Sequence, residues 1–497
     1  MKKLNIAILL FCISFGMIAQ TAEEALRYSR LNYATGTAKA TSMAGSLGAL
    51  GGNFTSLSIN PAGIGVYRSA EITITPSVMH AKSTTNYLNN KRDDEALNFN
   101  FGSFGMVFAL PLIDEGAGFK YIQLGLGVNR TNNFKRDVLM KGFNNNSSIT
   151  SQWVDDVNNA GIQFDDKGNP ILSLDPYNTN LAWETYVLDI NTDDIDNPYI
   201  FSDMQGGGVE QTVRMLTSGS MNEFVLSGGF NFDNKLFVGA TFGIPYFSYK
   251  ENYIITEEDT ENINPYFGSM RYSTTLYTSG TGVNFKIGAI YKPIQWLRLG
   301  LAVHTPTRFS MSDEYHAELT SYIDLDGNSN HIRRHDYCDA YDYSYKLRTP
   351  LKLIGSVGFV IGQHGSVNFD YTFQDYSKAK FKDKDYSLDG ANKDIQANYK
   401  AGHNFSLGTE WVFGVVRLRA GGAYELSPYK YEEINSGGER MIIGAGIGFI
   451  FGQFYTDLGY AYVKESKDFY PYDRYYVKAS ENKYITNQFQ LTVGLRF

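Results

Sequence analysis

The last eleven residues, NQFQLTVGLRF, constrain the fold more than any other stretch. Phe489, Leu491, Val493, Leu495 and Phe497 fall on one side, while Gln488, Gln490, Thr492, Gly494 and Arg496 fall on the other. Strict period-two alternation is a β-strand with one apolar face. The other end of the chain reads as an export signal. Lys2 and Lys3 precede a largely apolar run from Ile6 to Ile18, and Ala19 offers a small residue before a cut, so residues 1–19 are predicted to be removed. That run is short of the roughly 20 residues a membrane-spanning helix needs. Beyond it the longest apolar run, Met441 to Phe454, is broken by four glycines. An exported chain without a spanning helix can enter a membrane only as a closed β-barrel, because only closure pairs every backbone group.

Composition supports an all-β reading: 36 Tyr, 33 Phe and 49 Gly stand against 13 Pro in 497 residues. Removing the signal deletes two lysines and no acid, which takes the formal charge from −8 to −10. An acidic chain argues against nucleic acid as a partner. Cys338 is then the one remaining cysteine, so no intrachain disulfide framework is expected.

Fourteen strand-like stretches follow, near residues 70–80, 98–110, 119–130, 221–232, 236–250, 272–291, 296–312, 347–361, 365–380, 401–413, 415–429, 440–452, 453–466 and 484–497. Short connections (DNK, KPIQ, GQHG and the breaks at Gly414 and Gly452) alternate with long polar ones. That asymmetry belongs to outer-membrane barrels, whose short turns face the periplasm. An even count puts both ends of the barrel on that side. Ending on an aromatic at the last alternating position resembles the assembly signal of such barrels, which makes Phe497 a signal for the barrel assembly machinery. The predicted fold is a transmembrane antiparallel β-barrel of about fourteen strands spanning residues 70–497, in the outer membrane of a Gram-negative bacterium. Residues 131–220 are too long for a simple loop and contain the helix-prone LAWETYVLDI, so they are read as a folded extracellular excursion.

Residues 20–69 precede the first strand. They open with the helix-prone AEEALRYSRLNY and continue into GSLGALGGNFTSLSINPAGIGVYRS. The glycines tempt a phosphate-loop reading, but no Gly-Lys-Ser/Thr follows and the spacing is not G-x-G-x-x-G after a strand. Gly444, Gly446 and Gly448 recur at period two, as in a barrel strand whose inner face carries no side chains. HIRRHDYC places His331, His335 and Cys338 at plausible ligand spacing, yet the paired spacings of thiolate zinc sites are missing. No cofactor and no catalytic constellation is expected. In YIQLGLGVNR, Ile122, Leu124, Leu126 and Val128 would face lipid, with Gly125 and Gly127 turned inward. Inward glycines in a strand mark either room for a plug or a functional kink.

The stretch GTAKATSMAGSLGALGGNFTSLSINPAGIGVYRS resembles the N-terminal plug of the FadL/TodX family of outer-membrane transporters, most closely its Bacteroidetes-type versions, often labelled hemin receptors. The likeness rests on Gly36-Thr37-Ala38, the small-residue run Ala44 to Gly52, and Asn60-Pro61-Ala62 before the first strand. It implies a fourteen-stranded barrel closed by a hatch over residues 20–69. It also implies passive uptake of hydrophobic small molecules, long-chain fatty acids or similar, captured by extracellular loops and released laterally into the outer-membrane lipid. Asn60, Pro61, Ala62 and Gly63 would form the hatch or gate, and Gly125 or Gly127 the kink beside a lateral opening. Two other roles stay open at this point: a PorV-like interaction with a type IX secretion partner, and haem binding, which seven scattered histidines support poorly.

Overall fold

A computed structural model describes residues 21–31, 34–112, 118–166, 169–194, 197–324, 331–431, 435 and 437–497. The predicted signal segment, residues 1–19, lies outside them. Eighteen strands join in one antiparallel sheet. Four of its staves are each built from two collinear pieces, so the sheet has fourteen staves. In chain order they are β1 (Glu71–Tyr87), β2 (Asn90–Pro111), β3 (Phe119–Asn133, continued by Arg136–Asn144), β4 (Val209–Phe232) and β5 (Leu236–Glu258). Next come β6 (Phe267–Ile294), β7 (Leu297–His304 and Arg308–Ile323), β8 (Ile332–Arg348 and Lys352–Ile361) and β9 (Gly365–Asp375 and Lys380–Lys382). The last five are β10 (Ala401–Phe413), β11 (Val416–Glu425), β12 (Arg440–Phe451), β13 (Phe454–Phe469) and β14 (Ser480–Arg496).

The sheet closes on itself where β1 pairs with β14, from Glu71↔Arg496 up to Asn86↔Glu481. Phe497 completes the seam: its N–H donates to Ala70 at 3.0 Å and its carbonyl accepts from the Ala70 N–H at 2.9 Å. Closure leaves neither the first nor the last strand as a free edge, the condition for a sheet in lipid. The alternation read from the sequence is the inside and outside of this wall. Phe489, Leu491 and Leu495 face outward, whereas Gln488, Gln490 and Thr492 are buried inside. Ile122, Leu124 and Leu126 also face outward, as do Val283, Phe285 and Ile287 on β6.

Residues 21–31 and 34–69 run inside the barrel. Helix α1 (Ala22–Ser29) is built from good helix formers, capped by the Thr21 side chain, with Glu23 and Glu24 in its first turn and Arg27 in its last. Eight residues are too few to hold a helix alone. It is held by packing: Tyr28 stacks on Phe247 at 4.1 Å and meets Phe134 and Tyr249 edge-on. Helix α2 (Ala38–Ser42) and two 3₁₀ turns, Phe54–Ser58 and Pro61–Val66, follow. Small residues let this segment lie against the wall. A Cβ on Gly444 would meet the Ser42 carbonyl oxygen at 2.5 Å, and one on Gly446 would meet Ser42 Oγ at 2.0 Å.

The excursion is shorter than the sequence suggests. Residues 136–144 and 209–220 are strand, leaving an insert of residues 145–208. It contains helix α3 (Ile149–Ala160) and helix α4 (Thr179–Glu184); the latter covers only the first four residues of the helix-prone stretch, whose end, from Asp189, is strand. Trp153, Val157, Leu181 and Leu188 of the insert form one core with Ile255, Met270, Leu319 and Tyr484 of the tall strands.

Candidate functional site: a plugged lumen and an unpaired wall

Above α1 the barrel encloses a cavity of about 1050 Å³ that opens toward the long-loop side. Its lining mixes apolar surface (Leu26, Phe134, Tyr249) with charge from Arg27, Arg30 and Lys467. The charges are largely matched. Arg30 Nε reaches Glu425 at 3.1 Å and its Nη1 reaches Glu465 at 3.3 Å, while Arg440 contacts the same two carboxylates at 3.3 and 3.6 Å. Arg27 lies 4.0 Å above the Tyr249 ring and pairs with Glu251 at 3.7 Å. Glu23 pairs with Lys467 and accepts from Tyr429 at 2.6 Å.

Helix α1 is the floor of this cavity. Its Glu24 is buried, accepts from the Tyr345 hydroxyl, and leaves its other carboxylate oxygen without a hydrogen bond. Burial, and then the nearby Asp313, push the Glu24 carboxyl well above the usual carboxylate range. Below α1 lies a small void of about 50 Å³ bordered by Tyr28, Thr131, Met221, His304 and Lys286. Here the wall grips the plug. Glu223 pairs with Lys286 and accepts from Ser58 Oγ at 2.8 Å, and a His304 ring nitrogen donates to the Ile59 carbonyl at 2.7 Å.

The wall itself is interrupted beside this void. Strands β2 and β3 pair regularly from Pro111↔Tyr121 to Ser103↔Asn129 and no further. Beyond that point β2 pairs only with β1 and β3 only with β4. Both strands are irregular there: β3 shifts register against β4 between Arg130 and Asn132, and β2 bulges at Gly102 against Thr75/Pro76. The unpaired stretch forms a recess of about 450 Å³ on the outer surface, lined by Phe99, Phe101, Arg130, Asn222 and Tyr246. Polar groups at its edges are tied across the break. Arg130 Nε donates to the Phe101 carbonyl at 3.1 Å, and Asn133 Nδ2 to Asn98 Oδ1 at 2.9 Å. The plug closes it from within: Thr35 Oγ1 donates to the Arg130 carbonyl at 2.8 Å, and a Cβ on Gly102 would meet the Gly36 carbonyl oxygen at 2.4 Å.

The residues singled out in the sequence fall as follows. Gly125 and Gly127 lie in the regularly paired part of β3, so the irregularity is not theirs. A Cβ at Gly125 would meet Leu57 at 2.9 Å and Ile64 at 3.0 Å, and one at Gly127 would meet Phe54 at 2.6 Å, so these positions accommodate plug side chains. The register shift lies a few residues farther on, at Arg130–Asn132. Asn60 is buried: its Nδ2 donates to the Gly48 carbonyl at 2.6 Å and its Oδ1 accepts from the Ala62 N–H at 3.1 Å. Pro61 and Ala62 press against Gly239, where a Cβ would sit 2.2 Å from the Pro61 carbonyl oxygen, and Gly63 packs on Gly51. This turn is clamped to the wall. His331, His335 and Cys338 do not converge. His335 and Cys338 point to opposite faces of β8, and His335 bonds Thr320 Oγ1 at 3.0 Å. Among the described residues no group of three or more His, Cys, Asp or Glu side chains is placed to hold a metal ion. The charged lining and the Arg130 break escaped the sequence reading. The one signal for the break was Asn98, Asn100 and Asn129-Arg130 at the upper ends of two otherwise apolar strands.

A closed barrel of fourteen staves with its N-terminal segment inside defines an outer-membrane transport barrel. The chain belongs to the outer membrane protein transport protein family (OMPP1/FadL/TodX), whose model matches residues 216–486, more than half its length. The fold is similar to that of the CymD monoaromatic hydrocarbon channel, at 13% identity and TM-score 0.51 over 94% of this chain and 99% of that one. It is also similar to a Pseudomonas aeruginosa FadL homologue (13%, TM-score 0.53, 93% and 98% covered) and to the P. putida toluene transporter TodX (11%, TM-score 0.52, 94% and 99% covered). No curated protein sequence matches this one.

Proposed function

We propose that the protein is a passive outer-membrane channel that releases hydrophobic molecules laterally, through the break between β2 and β3. The observation that carries this reading is the loss of β2–β3 pairing above Ser103↔Asn129, coincident with an aromatic recess on the outer surface. Ligand enters the outer cavity from the extracellular side, passes α1 into the void beside Thr131 and Met221, and leaves past Arg130 into the outer membrane. Each buried methylene contributes roughly 0.8 kcal/mol on leaving water, so an acyl chain moves down this route without an energy source. Arg136, which lines the outer cavity 4.0 Å over the Tyr484 ring and is in no ion pair among the described residues, favours an amphiphile with an anionic head, such as a long-chain fatty acid, over a bare hydrocarbon. Residues 21–69 act as the hatch that seals the barrel against water, and Asn60–Gly63 anchor it to the wall. No covalent step belongs to this mechanism.

The test locks the break. Cysteines replacing Asn98 and Asn133, in a Cys338→Ser background, are joined with a short bis-thiol reagent in whole cells. Uptake of labelled oleate is expected to fall on cross-linking, while each single-cysteine variant keeps it. Undiminished uptake in the cross-linked protein would overturn lateral release. Equal uptake of toluene and oleate would overturn the preference for an anionic head.

A further inference from the structure

The outward face of β7, β8 and β9 carries positive charge with no counter-charge. Arg308 lies directly opposite Arg348, and Arg348 directly opposite Lys380. One step higher, Lys346 lies opposite Lys382. Lys378 stands just before this short third strand, and all six side chains are exposed. Side chains directly opposite across antiparallel strands have Cβ atoms about 4.5–5.5 Å apart, where like charges destabilise the sheet. Among the described residues none of the six is joined to a carboxylate in an ion pair.

The carboxylates nearby are otherwise engaged or displaced. Asp375 accepts from Ser377 N and Oγ at 3.1 and 2.6 Å, and Asp383 accepts from the N–H groups of Asp385 and Tyr386 at 2.7 and 2.9 Å. Glu314 and Asp342 face each other four residues beyond Lys346, about 14 Å along the strand at 3.4 Å per residue. Elsewhere on the outer wall, opposite charges meet. On β1 and β2, Lys82 contacts Asp93 at 3.0 Å and Glu95 at 3.4 Å, and His80 contacts Glu95 at 3.1 Å.

Height in the wall selects the occupant. Leu351 and Leu353 lie immediately below Arg348 and Val283 lies directly opposite Arg308 at the end of the first row; they face outward, 41%, 37% and 46% exposed, as part of the apolar band. The charges therefore begin where acyl chains end, on the extracellular side. We propose that this patch binds the phosphate groups of phosphorylated glycolipids in the outer leaflet. The Arg308–Arg348–Lys380 row takes phosphate at the headgroup boundary, Lys346 and Lys382 take phosphate farther out, and the acyl chains descend over Leu351 and Leu353. Arg offers two parallel donors to phosphate and Lys a point charge, so mixed rows suit a headgroup bearing more than one phosphate. The three staves concerned are also the ones interrupted at this level, at residues 305–307, 349–351 and 376–379. A bound polyanion would thus hold them together from outside.

The test uses the full-length protein, purified in detergent and stripped of lipid, with purified lipopolysaccharide as the probe. The variant replaces Arg308, Lys346, Arg348, Lys380 and Lys382 with Gln. A Lys82→Gln protein is the control. The five-Gln variant is expected to bind at least about tenfold more weakly, since it loses five basic contacts to a charged lipid surface. Lys82→Gln should bind as the unaltered protein does, and Arg308→Lys with Arg348→Lys should retain most of the affinity. Heat-modifiable gel mobility verifies that each variant is a folded barrel, and the milder Arg348→Gln/Lys380→Gln pair replaces the five-Gln protein should that one not fold. Equal binding by the charge-neutralised and unaltered proteins overturns the proposal. So does equal binding of enzymatically dephosphorylated lipopolysaccharide, or competition by inorganic phosphate as strong as that by the lipid.

Discussion

At the scale of single residues, the plug is held by polar side chains that the wall turns inward at membrane height. Asp370 of β9 accepts the N–H groups of both Leu47 and Gly48 at 3.0 Å, and Asn368 accepts that of Ala49 at 3.3 Å. Gln123 Nε2 donates to the carbonyls of Gly65 and Tyr67 at 3.2 and 3.0 Å. Such pairs matter because a buried donor left unpaired costs about 1–3 kcal/mol. Asp370→Ala orphans two N–H groups at once, so the plug, rather than the barrel, should loosen. The expected readout is faster protease cleavage within residues 34–69 with unchanged heat-modifiable mobility. Asp370→Asn, which retains an acceptor, should lose less. Gly288 makes the same point sterically. A Cβ there would lie 1.9 Å from Asn60 Oδ1 and 3.2 Å from the Pro61 ring, so Gly288→Val should expel the Asn60 turn and expose the same segment to protease. Protection equal to the unaltered protein in both variants would show that these contacts do not anchor the plug.

At the scale of elements, α1 stands between the outer cavity and the void beside the wall break, and its seat is electrostatically uneven. Glu24 is buried with Asp313 near it, while Arg27 points away toward Glu251 and Tyr249. Because the docked carboxyl titrates well above its free value of about 4.3, docking is strongest below that value and weakens as pH rises through the docked pKa. Glu23 works in the opposite sense. Despite burial, its pairing with Lys467 holds it low, so its contribution disappears only in more acidic solution. A spin label at position 21, in a Cys338→Ser background, should therefore grow more mobile as pH rises from mildly acidic values. Glu24→Gln should flatten that response, and an unchanged slope would sink the assignment. The helix itself was legible in AEEALRYSRLNY, as were the fourteen staves, because lipid outside and plug inside impose opposite demands on alternate residues. The break was not legible. Pairing register between β2 and β3 is a long-range property, and Gly125 and Gly127, the residues that looked like a kink, are glycine because Leu57, Ile64 and Phe54 occupy the space beside them. The heights of the tall strands were also missed, since above the membrane both faces of a strand can be polar or packed, and alternation fades.

At the scale of the whole molecule, those tall strands explain why the chain carries an insert at all. A bilayer needs about 9–11 residues of tilted strand, yet β4, β5 and β6 run for 24, 23 and 28. The surplus rises beyond the membrane as a curved wall whose inner face is apolar at Ile255, Met270, Tyr272 and Leu319, and an apolar face in water must be covered. Residues 145–208 cover it. Helix α3 enters with Ser148 as its N-cap, and Glu257 of β5 accepts from the Ser148 hydroxyl and from Ile149 N–H at 3.0 Å. Trp153 is 2% exposed and meets Tyr272 edge-on at 5.2 Å. This core shares no residue with the one around α1, so the two should come apart separately. Trp153→Ala removes the largest side chain from the insert's core, a change that costs about 3–5 kcal/mol in a packed interior. Hydrogen exchange should then accelerate through residues 145–208 and the tips of β4–β6, while amides at membrane height and in α1 keep their protection. Acceleration spreading to α1 would mean that insert and plug form one cooperative unit, and that the outer mouth and the floor of the cavity cannot open independently.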